Sequence, residues 1–345
     1  MIKTQKLLLL VTILMALLVI FSGCNDIFIN ESKTLYVDDE PGKDFTSIQA
    51  AIDAAKPSWT VFVYDGFYNE ALFINKSVNL VGLSPENTFI LPKNVKSNDN
   101  CTIFINADGC TIKNFDISFE GEKSENIGIR ISSSNNTIFN NTFSNFKYGI
   151  YFFSNEILFN NNVSNNEITD CNYGLYGRTD LKFNVFFNNN IKNNENGIEF
   201  YSAVNSTISG NNISFNSMYG IYITGDSDGN VISYNFLKKN YYGIRVKSVS
   251  FNEIFANKLV ENSIGFYPCC GASNNKFYYN SLINNTKQAA DSFTNFWDNN
   301  GFGNYWSDYI QRYPNASSIN GVWDTPYSIL EGNNKDNFPL VNRYV

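Results

Sequence analysis

The 345-residue sequence contains no histidine, only three methionines and only 17% charged residues. Without histidine it has no side chain that ordinarily changes charge near neutral pH and no imidazole to ligate a metal. Beyond the first 21 residues no apolar run approaches the length needed to cross a membrane. The net charge is −7 and grows more negative if Lys3 and Lys6 are removed, which excludes nucleic acid and anionic lipid surfaces as partners. Five cysteines (Cys101, Cys110, Cys171, Cys269, Cys270) stand beside Cys24, without the CxxC spacing of a zinc site. They are read either as disulfides or as buried thiols stacked in the fold, and no metal or cofactor is assigned.

What is abundant is asparagine, 56 in all, with 30 Phe and 21 Tyr. Asparagine tolerates left-handed backbone and bonds neighbouring main chain, so a surplus of it implies many turns or stacked amide ladders. Regularly spaced Ile, Phe, Tyr and Val supply the buried area that a disordered Asn-rich tract lacks.

Residues 1–23 combine Lys3 and Lys6, an apolar stretch from Leu7 to Phe21, and Ser22-Gly23. This is the pattern of an export signal, with Cys24 as a lipid-bearing first residue of the mature chain. The alternative is an uncleaved anchor helix. Either reading puts the body outside the cytoplasm, at the cell surface or in the periplasm, with the membrane touched only through the N-terminus.

A Gly followed by an apolar residue recurs at Gly128, Gly149, Gly174, Gly197, Gly220, Gly243 and Gly265, in steps of 21 to 25 residues. In phase with it run Asn141, Asn166, Asn189, Asn211, Asn235, Asn257 and Asn280. A period near 23 means a solenoid. Each unit holds two or three short alternating segments, such as Gly149-Ile-Tyr-Phe-Phe153, and no room for a ten-residue helix. The fold expected is an all-β, right-handed, single-stranded parallel β-helix, with the Asn series as a structural ladder. Phe45–Ala55 sets Ile48, Ala51, Ile52 and Ala55 on one face, with Thr46 and Gln49 spaced as a capping box, and predicts a helix that plugs the N-terminal end. The expected divisions are an export signal over 1–23, an N-terminal segment with its capping helix over 24–59, β-helix coils over 60–290, and a C-terminal cap and tail over 291–345. Capped ends predict a monomer.

The segment Phe45–Glu70 (FTSIQAAIDAA…VFVYDGFYNE), the Asn/Gly-Ile coils and the closing Gly303–Tyr309 (GNYWSDY), Asp324–Tyr327 (DTPY) and Lys335–Leu340 (KDNFPL) together resemble, over roughly residues 34–340, the NosD type of β-helix protein within the pectate-lyase-like superfamily. That family is named for a periplasmic copper-binding accessory protein, so the resemblance implies an extracytoplasmic β-helix and, by its name, copper. The sequence departs from that name, since copper ligation would have to rest on cysteine. It also lacks, between Tyr309 and Asp324, the Asp-Gly-rich loop suited to Ca²⁺ that such proteins carry.

At Gly+2 the coils place Arg130, Tyr151, Tyr176, Glu199, Tyr222, Arg245 and Tyr267. If Gly+1 and Gly+3 point inward, this row points outward, with rings on alternate coils about 10 Å apart, a spacing suited to a glycan. The bland reading is that these rings stack on one another and stiffen the sheet. The sequence therefore predicts a cell-surface β-helix that binds a polysaccharide or an envelope protein partner along one lateral face, without catalysis. Against it stand a polysaccharide lyase or hydrolase with Arg130, Arg178 or Arg245 as base, lacking a carboxylate cluster, and an accessory role in periplasmic maturation. Gly225–Asn230 (GDSDGN) has Ca²⁺-loop spacing without the distal Glu and reads as a turn. Asn-x-Ser/Thr sequences at Asn75, Asn100, Asn135, Asn140, Asn162, Asn205, Asn212, Asn284 and Asn315 are candidate glycosylation sites.

Overall fold

The computed structural model describes residues 33–95, 99–119 and 125–344; the export signal expected over 1–23 and Cys24 lie outside these. The chain from Lys33 is a right-handed parallel β-solenoid whose three stacked sheets hold 11, 11 and 10 strands. In each coil a strand of the first sheet (Thr34–Val37 through Lys276–Tyr278) leads to one of the second (Gly66–Tyr68 through Tyr305–Trp306), then to one of the third (Leu72–Ile74 through Lys287–Ala289). The stack thus extends beyond the expected 60–290 at both ends. Thr34–Val37 already pairs in parallel with Trp59–Val63, and Tyr305–Trp306 still pairs with Ser281–Leu282.

The 23-residue rhythm produces vertical register. Ile129, Ile150, Leu175, Ile198, Ile221, Ile244 and Phe266 are successive partners in the third sheet, and all are buried. The preceding glycines are required because the coils approach so closely: a Cβ on Gly174 would lie 2.6 Å from the carbonyl oxygen of Gly197.

The corners are held by asparagine. Asn141, Asn166, Asn189, Asn211, Asn235, Asn257 and Asn280 form one continuous buried ladder at the corner between the first and second sheets. Each backbone N–H donates to the next residue's Oδ1 at 2.9–3.1 Å, and each Nδ2 donates to the same oxygen, ending on Asn304. Two further ladders flank it, five residues earlier and five later in the sequence. Asn136, Asn161, Asn184, Ser206, Asn230, Asn252, Asn275 and Asn295 run up one corner. Asn194, Asn216, Asn240, Asn262 and Asn285 run up the other, below Cys171. A left-handed residue precedes the rungs up to Asn285, as at Asn140, Asn188 and Asn193. Asparagine takes that conformation readily; Phe183 and Phe251 occupy it as bulky residues that ordinarily avoid it.

Each ladder needs a terminus. Asp336 closes the first, accepting from Asn304 N–H (2.7 Å), Trp306 Nε1–H (2.8 Å) and Phe338 N–H (3.0 Å). Only glycine at 303 lets that carboxyl in, since a Cβ there would overlap it. Asp291 closes the second through Asn295, Trp297 Nε1–H and Phe293 N–H. Gln288 closes the third through Asn285 Nδ2. Trp306 stacks on Tyr327 (4.0 Å), whose hydroxyl donates to Asp308.

The N-terminal helix spans Ile48–Ala54, with Ile48, Ala51 and Ile52 buried. Its cap is Ser47 rather than Thr46: Ser47 Oγ accepts from Ala50 N–H, and Glu70 accepts from the Ser47 hydroxyl and the Ile48 and Gln49 N–H groups. Gln49 is taken up otherwise, since its amide bonds both main-chain groups of Phe73 on the outermost strand of the third sheet. Where a Ca²⁺ loop is missing, Ser318–Ile319 and Val322–Trp323 form a tight antiparallel hairpin over Asn320 and Gly321, both at positive φ.

Replacing Asn211 by Ala strips the partner from Asn189 N–H and from the Phe186 carbonyl. It should cost about 3 kcal/mol, read as a lower denaturation midpoint, with Asn211→Ser costing less because Ser206 already serves as a rung. A cost near zero for the alanine variant would remove the ladder from its structural role.

Burial pushes Asp336 up to about 7 and raises Asp116, Glu199 and Asp291 as well. A carboxyl whose folded pKa exceeds its unfolded one contributes stability that is full below the unfolded value and is lost as pH rises through the folded one. The Tm should therefore fall between about pH 4 and pH 7. Asp336→Asn should flatten that slope, and an unchanged slope in this variant would contradict the assignment.

Candidate functional site on the third sheet

The outward row predicted at Gly+2 is in register throughout. Arg130, Tyr151, Tyr176, Glu199, Tyr222, Arg245 and Tyr267 are direct partners on successive strands, and Phe104 and Phe73 continue the row upstream. Beside it runs a second row at Gly−1: Tyr148, Tyr173, Asn196, Tyr219 and Tyr242. Simple alternation hides this row, because residues on both sides of the Gly-apolar pair share one face, as the contacts of Tyr148 with Tyr151 and of Tyr219 with Tyr222 show.

The two rows interlock. Tyr148 stacks on Tyr151 (4.7 Å), Tyr173 (5.1 Å) and Tyr176 (4.9 Å); Tyr219 lies 4.6 Å from Tyr222, and Tyr242 stacks on Tyr267 at 5.4 Å. The ring faces are therefore spent on each other. Rings about 10 Å apart with open faces, the spacing expected for sugar stacking, are not what this surface presents; it presents hydroxyls and ring edges. Tyr176 and Tyr222 are only 5% and 8% exposed. Burial raises the pKa of Tyr151, Tyr173, Tyr219, Tyr222 and Tyr242, so their phenols stay neutral donors at ordinary pH.

Two features break the aromatic surface. Between Tyr176 and Tyr222 sit Asn196 and Glu199, both 4% exposed. Asn196 Oδ1 and Glu199 Oε2 have no hydrogen-bond partner, while Tyr201 bonds the Glu199 carboxyl. Two coils from Glu199, Arg245 lies within 5.2–5.6 Å of the ring centroids of Tyr219, Tyr222, Tyr242 and Tyr267. Its Nη1 donates to Tyr219 Oη (2.9 Å), Nη2 approaches Cys269 Sγ (3.6 Å), and Nε is buried without a partner. Arg130, by contrast, pairs with Asp99 (3.0 Å), and Arg178 lies over Tyr201. Among the described residues no carboxylate pairs with Arg245, nor do two carboxylates converge beside it in a salt bridge.

Elsewhere, a depression bordered by Asn140, Asn165, Glu167 and Asn188 lies at an asparagine corner, where Asn140 Nδ2 donates to Asn114 and Asn188 Nδ2 to Asn165. The Gly225–Asn230 segment is a turn: Gly225 and Gly229 have positive φ, Ser227 bonds Thr224 O and Asn230 is a ladder rung. Among the described residues no three His, Cys, Asp or Glu side chains are placed to hold a metal. Cys110, Cys269 and Cys270 are free thiols, and Cys101 and Cys171 are buried. Of the candidate glycosylation sites, Asn75, Asn135, Asn162, Asn205, Asn212, Asn284 and Asn315 are exposed, and Asn100 and Asn140 are half-buried.

Residues 158–310 match the family described as periplasmic copper-binding protein (NosD), a narrower span than the 34–340 over which the motifs resemble it. No curated protein matches the sequence. Among solved structures the solenoid is similar to the A-module of mannuronan C-5 epimerase AlgE4 from Azotobacter vinelandii (16% identity, 75% of this chain and 88% of that one, TM-score 0.50). It is also similar to XylC in complex with xylose (12%, 89% and 73%, 0.57) and to an alginate lyase from Paenibacillus (10%, 78% and 97%, 0.55). Identities this low show a shared parallel β-helix fold and nothing of activity. The copper in the family's description finds no matching donor set among the described residues: histidine is absent from the sequence, Met218 is the one described methionine, and Cys269 and Cys270 are a pair of adjacent thiols, the first already against Arg245.

Burial pushes the Cys101 thiol up to about 12 and raises Cys110, while Cys270 is exposed. Iodoacetamide at pH 8 should therefore alkylate Cys270 far faster than Cys101 or Cys110, as read by peptide mass mapping. Equal rates would mean that the coils open.

Proposed function

We propose that this is an extracytoplasmic β-solenoid that binds carbohydrate along the tyrosine-rich face of its third sheet, acting as a monomer held to the membrane by a lipid on Cys24. One observation carries the reading. Six buried side-chain polar atoms lack a partner among the described residues, and three of them, on Asn196, Glu199 and Arg245, lie in the outward rows of this one face. Leaving a buried polar atom unpaired costs about 1–3 kcal/mol, so their concentration on one face of an otherwise well-bonded solenoid supports a polar, ligand-directed role for that face. Tyrosine hydroxyls and edges around them suit a partner rich in hydroxyls. The periplasmic family description supports a location outside the cytoplasm.

A polysaccharide-cleaving activity is the second reading, favoured by Glu199, a carboxyl that burial holds protonated to higher pH on the face that also carries Arg245. Depolymerisation by the purified protein that is lost in Glu199→Gln would establish it over binding alone.

Binding is tested on a glycan array and by calorimetry with Tyr151→Ala and Tyr242→Ala, using Phe187→Ala on the first sheet as control. The tyrosine variants should weaken binding by about ten-fold, and Phe187→Ala should leave it unchanged. Equal affinities in all four proteins would place the ligand elsewhere.

A further inference from the structure

Five cysteines fall among the described residues, and two of them differ from the rest. Cys101, Cys110 and Cys171 are buried, and each directs its thiol to a main-chain carbonyl, of Asp99, Ala107 and Thr169 in turn. Cys269 and Cys270 are turned to one another instead. Cys270 donates its S–H to Cys269 Sγ at 3.1 Å, and Arg245 Nη2 approaches the same sulfur at 3.6 Å. Cys269 is 4% exposed, whereas Cys270 is open to solvent. The pair thus has one sulfur that a reagent in solution reaches and one that it does not.

The backbone holds the two sulfurs in this arrangement. Cys269 ends a strand of the third sheet, in register with Lys247 on the preceding coil, and its carbonyl accepts from Ser248 N–H (3.2 Å) and Ala272 N–H (3.1 Å). The second bond closes a tight turn whose central residues, Cys270 and Gly271, both have positive φ. Such a turn favours Asn or Gly at its first central position, so backbone preference gives no reason for a cysteine at 270. A Cβ on Gly271 would meet nothing within 4 Å, so the turn stands clear of its surroundings.

We infer that Cys269 and Cys270 form a thiol–disulfide exchange site, with the exposed Cys270 as the attacking sulfur and the buried Cys269 as the resolving one. The Cys270 thiolate attacks a small-molecule disulfide, forming a mixed disulfide and releasing one thiolate. The Cys269 thiolate then attacks Cys270 Sγ and displaces the second. Two electrons pass from the cysteine sulfurs to the incoming disulfide, and the two cysteine protons end on its released halves. Burial raises the Cys269 thiol, and Arg245 beside it opposes that by favouring the charged sulfur. Adjacent Cα atoms lie about 3.8 Å apart, inside the separation of about 4.4–6.8 Å usual for bridged cysteines, so the bond between these neighbours is strained and readily reduced again. Disulfides form and persist outside the cytoplasm, and the inference needs nothing from the carbohydrate reading above.

The test reduces the full-length protein, removes the reductant and adds glutathione disulfide at mildly alkaline pH, with mass mapping of the peptide that carries both cysteines. In the wild type that peptide should lose two hydrogens, retain no glutathione and regain two alkylatable thiols after dithiothreitol. Cys269→Ser should stop at the mixed disulfide on Cys270. Cys270→Ser should react at least about ten-fold more slowly, since the remaining thiol is buried. Circular dichroism melts establish that both variants are folded. A wild type that keeps glutathione on Cys270 without resolving it, that links two chains through Cys270, or that does not react overturns the exchange site, as does a Cys270→Ser variant that reacts as fast as the wild type.

Discussion

The structure depends on the buried corner amide. A solenoid must turn its chain three times per coil, and each turn strands backbone N–H and C=O groups where strand pairing cannot reach them. A rung asparagine answers this locally. Asn211 Oδ1 accepts from the main chain and amide of Asn189 on one adjacent coil, while its own Nδ2 reaches Phe186 O on that same coil, Ser209 O on its own and the Oδ1 of Asn235 on the next. Each rung is satisfied only if the next is in register. The ladders therefore fix vertical alignment, and alignment gives every outward row its continuity. It also explains why the stack ends on Asp291, Asp336 and Gln288: the last amide of a ladder needs an acceptor that is not another coil.

The same logic accounts for the motifs that carry the family resemblance. In GNYWSDY, Asn304 ends a ladder and Trp306 donates to Asp336; in DTPY, Tyr327 stacks on Trp306; in KDNFPL, Asp336 is the terminator and Leu340 N–H donates to Asn304 O. In the opening segment, Glu70 reaches back to cap the helix that begins at Ile48. These residues build the ends of the solenoid. Their presence therefore transfers architecture, and transfers no ligand.

Much of the fold was legible because it is periodic. The Gly-apolar pairs and one asparagine series announced the coil, the inward column and the outward row at Gly+2. The other two ladders went unseen although they sit at a constant five-residue offset, because Ser206, Cys171 and Phe146 interrupt the asparagine pattern where the corner tolerates another group. The tyrosine row at Gly−1 was hidden by the rule of strict alternation, which fails across the Gly-apolar pair, where Tyr148 and Tyr151 share a face. Thr46 and Ser47 both fit an N-cap by type; the choice fell to Ser47, whose hydroxyl also donates to Glu70, a contact 23 residues away. The closing of ring faces against one another is the bland alternative read for the Gly+2 row, and the Gly−1 tyrosines supply most of its partners.

A solenoid of this kind constrains its interior and corners tightly and leaves its outer rows free to vary. On the third sheet that freedom has been used mostly for tyrosine, whose stacked rings bury one another and stiffen the surface. A purely structural row would be best served by continuing the same residue. Asn196, Glu199 and Arg245 instead interrupt it, each leaving a polar atom buried and unpaired in a protein that elsewhere satisfies long files of buried amides. The function proposed above therefore rests on the positions where the repeat is broken, at Asn196, Glu199 and Arg245.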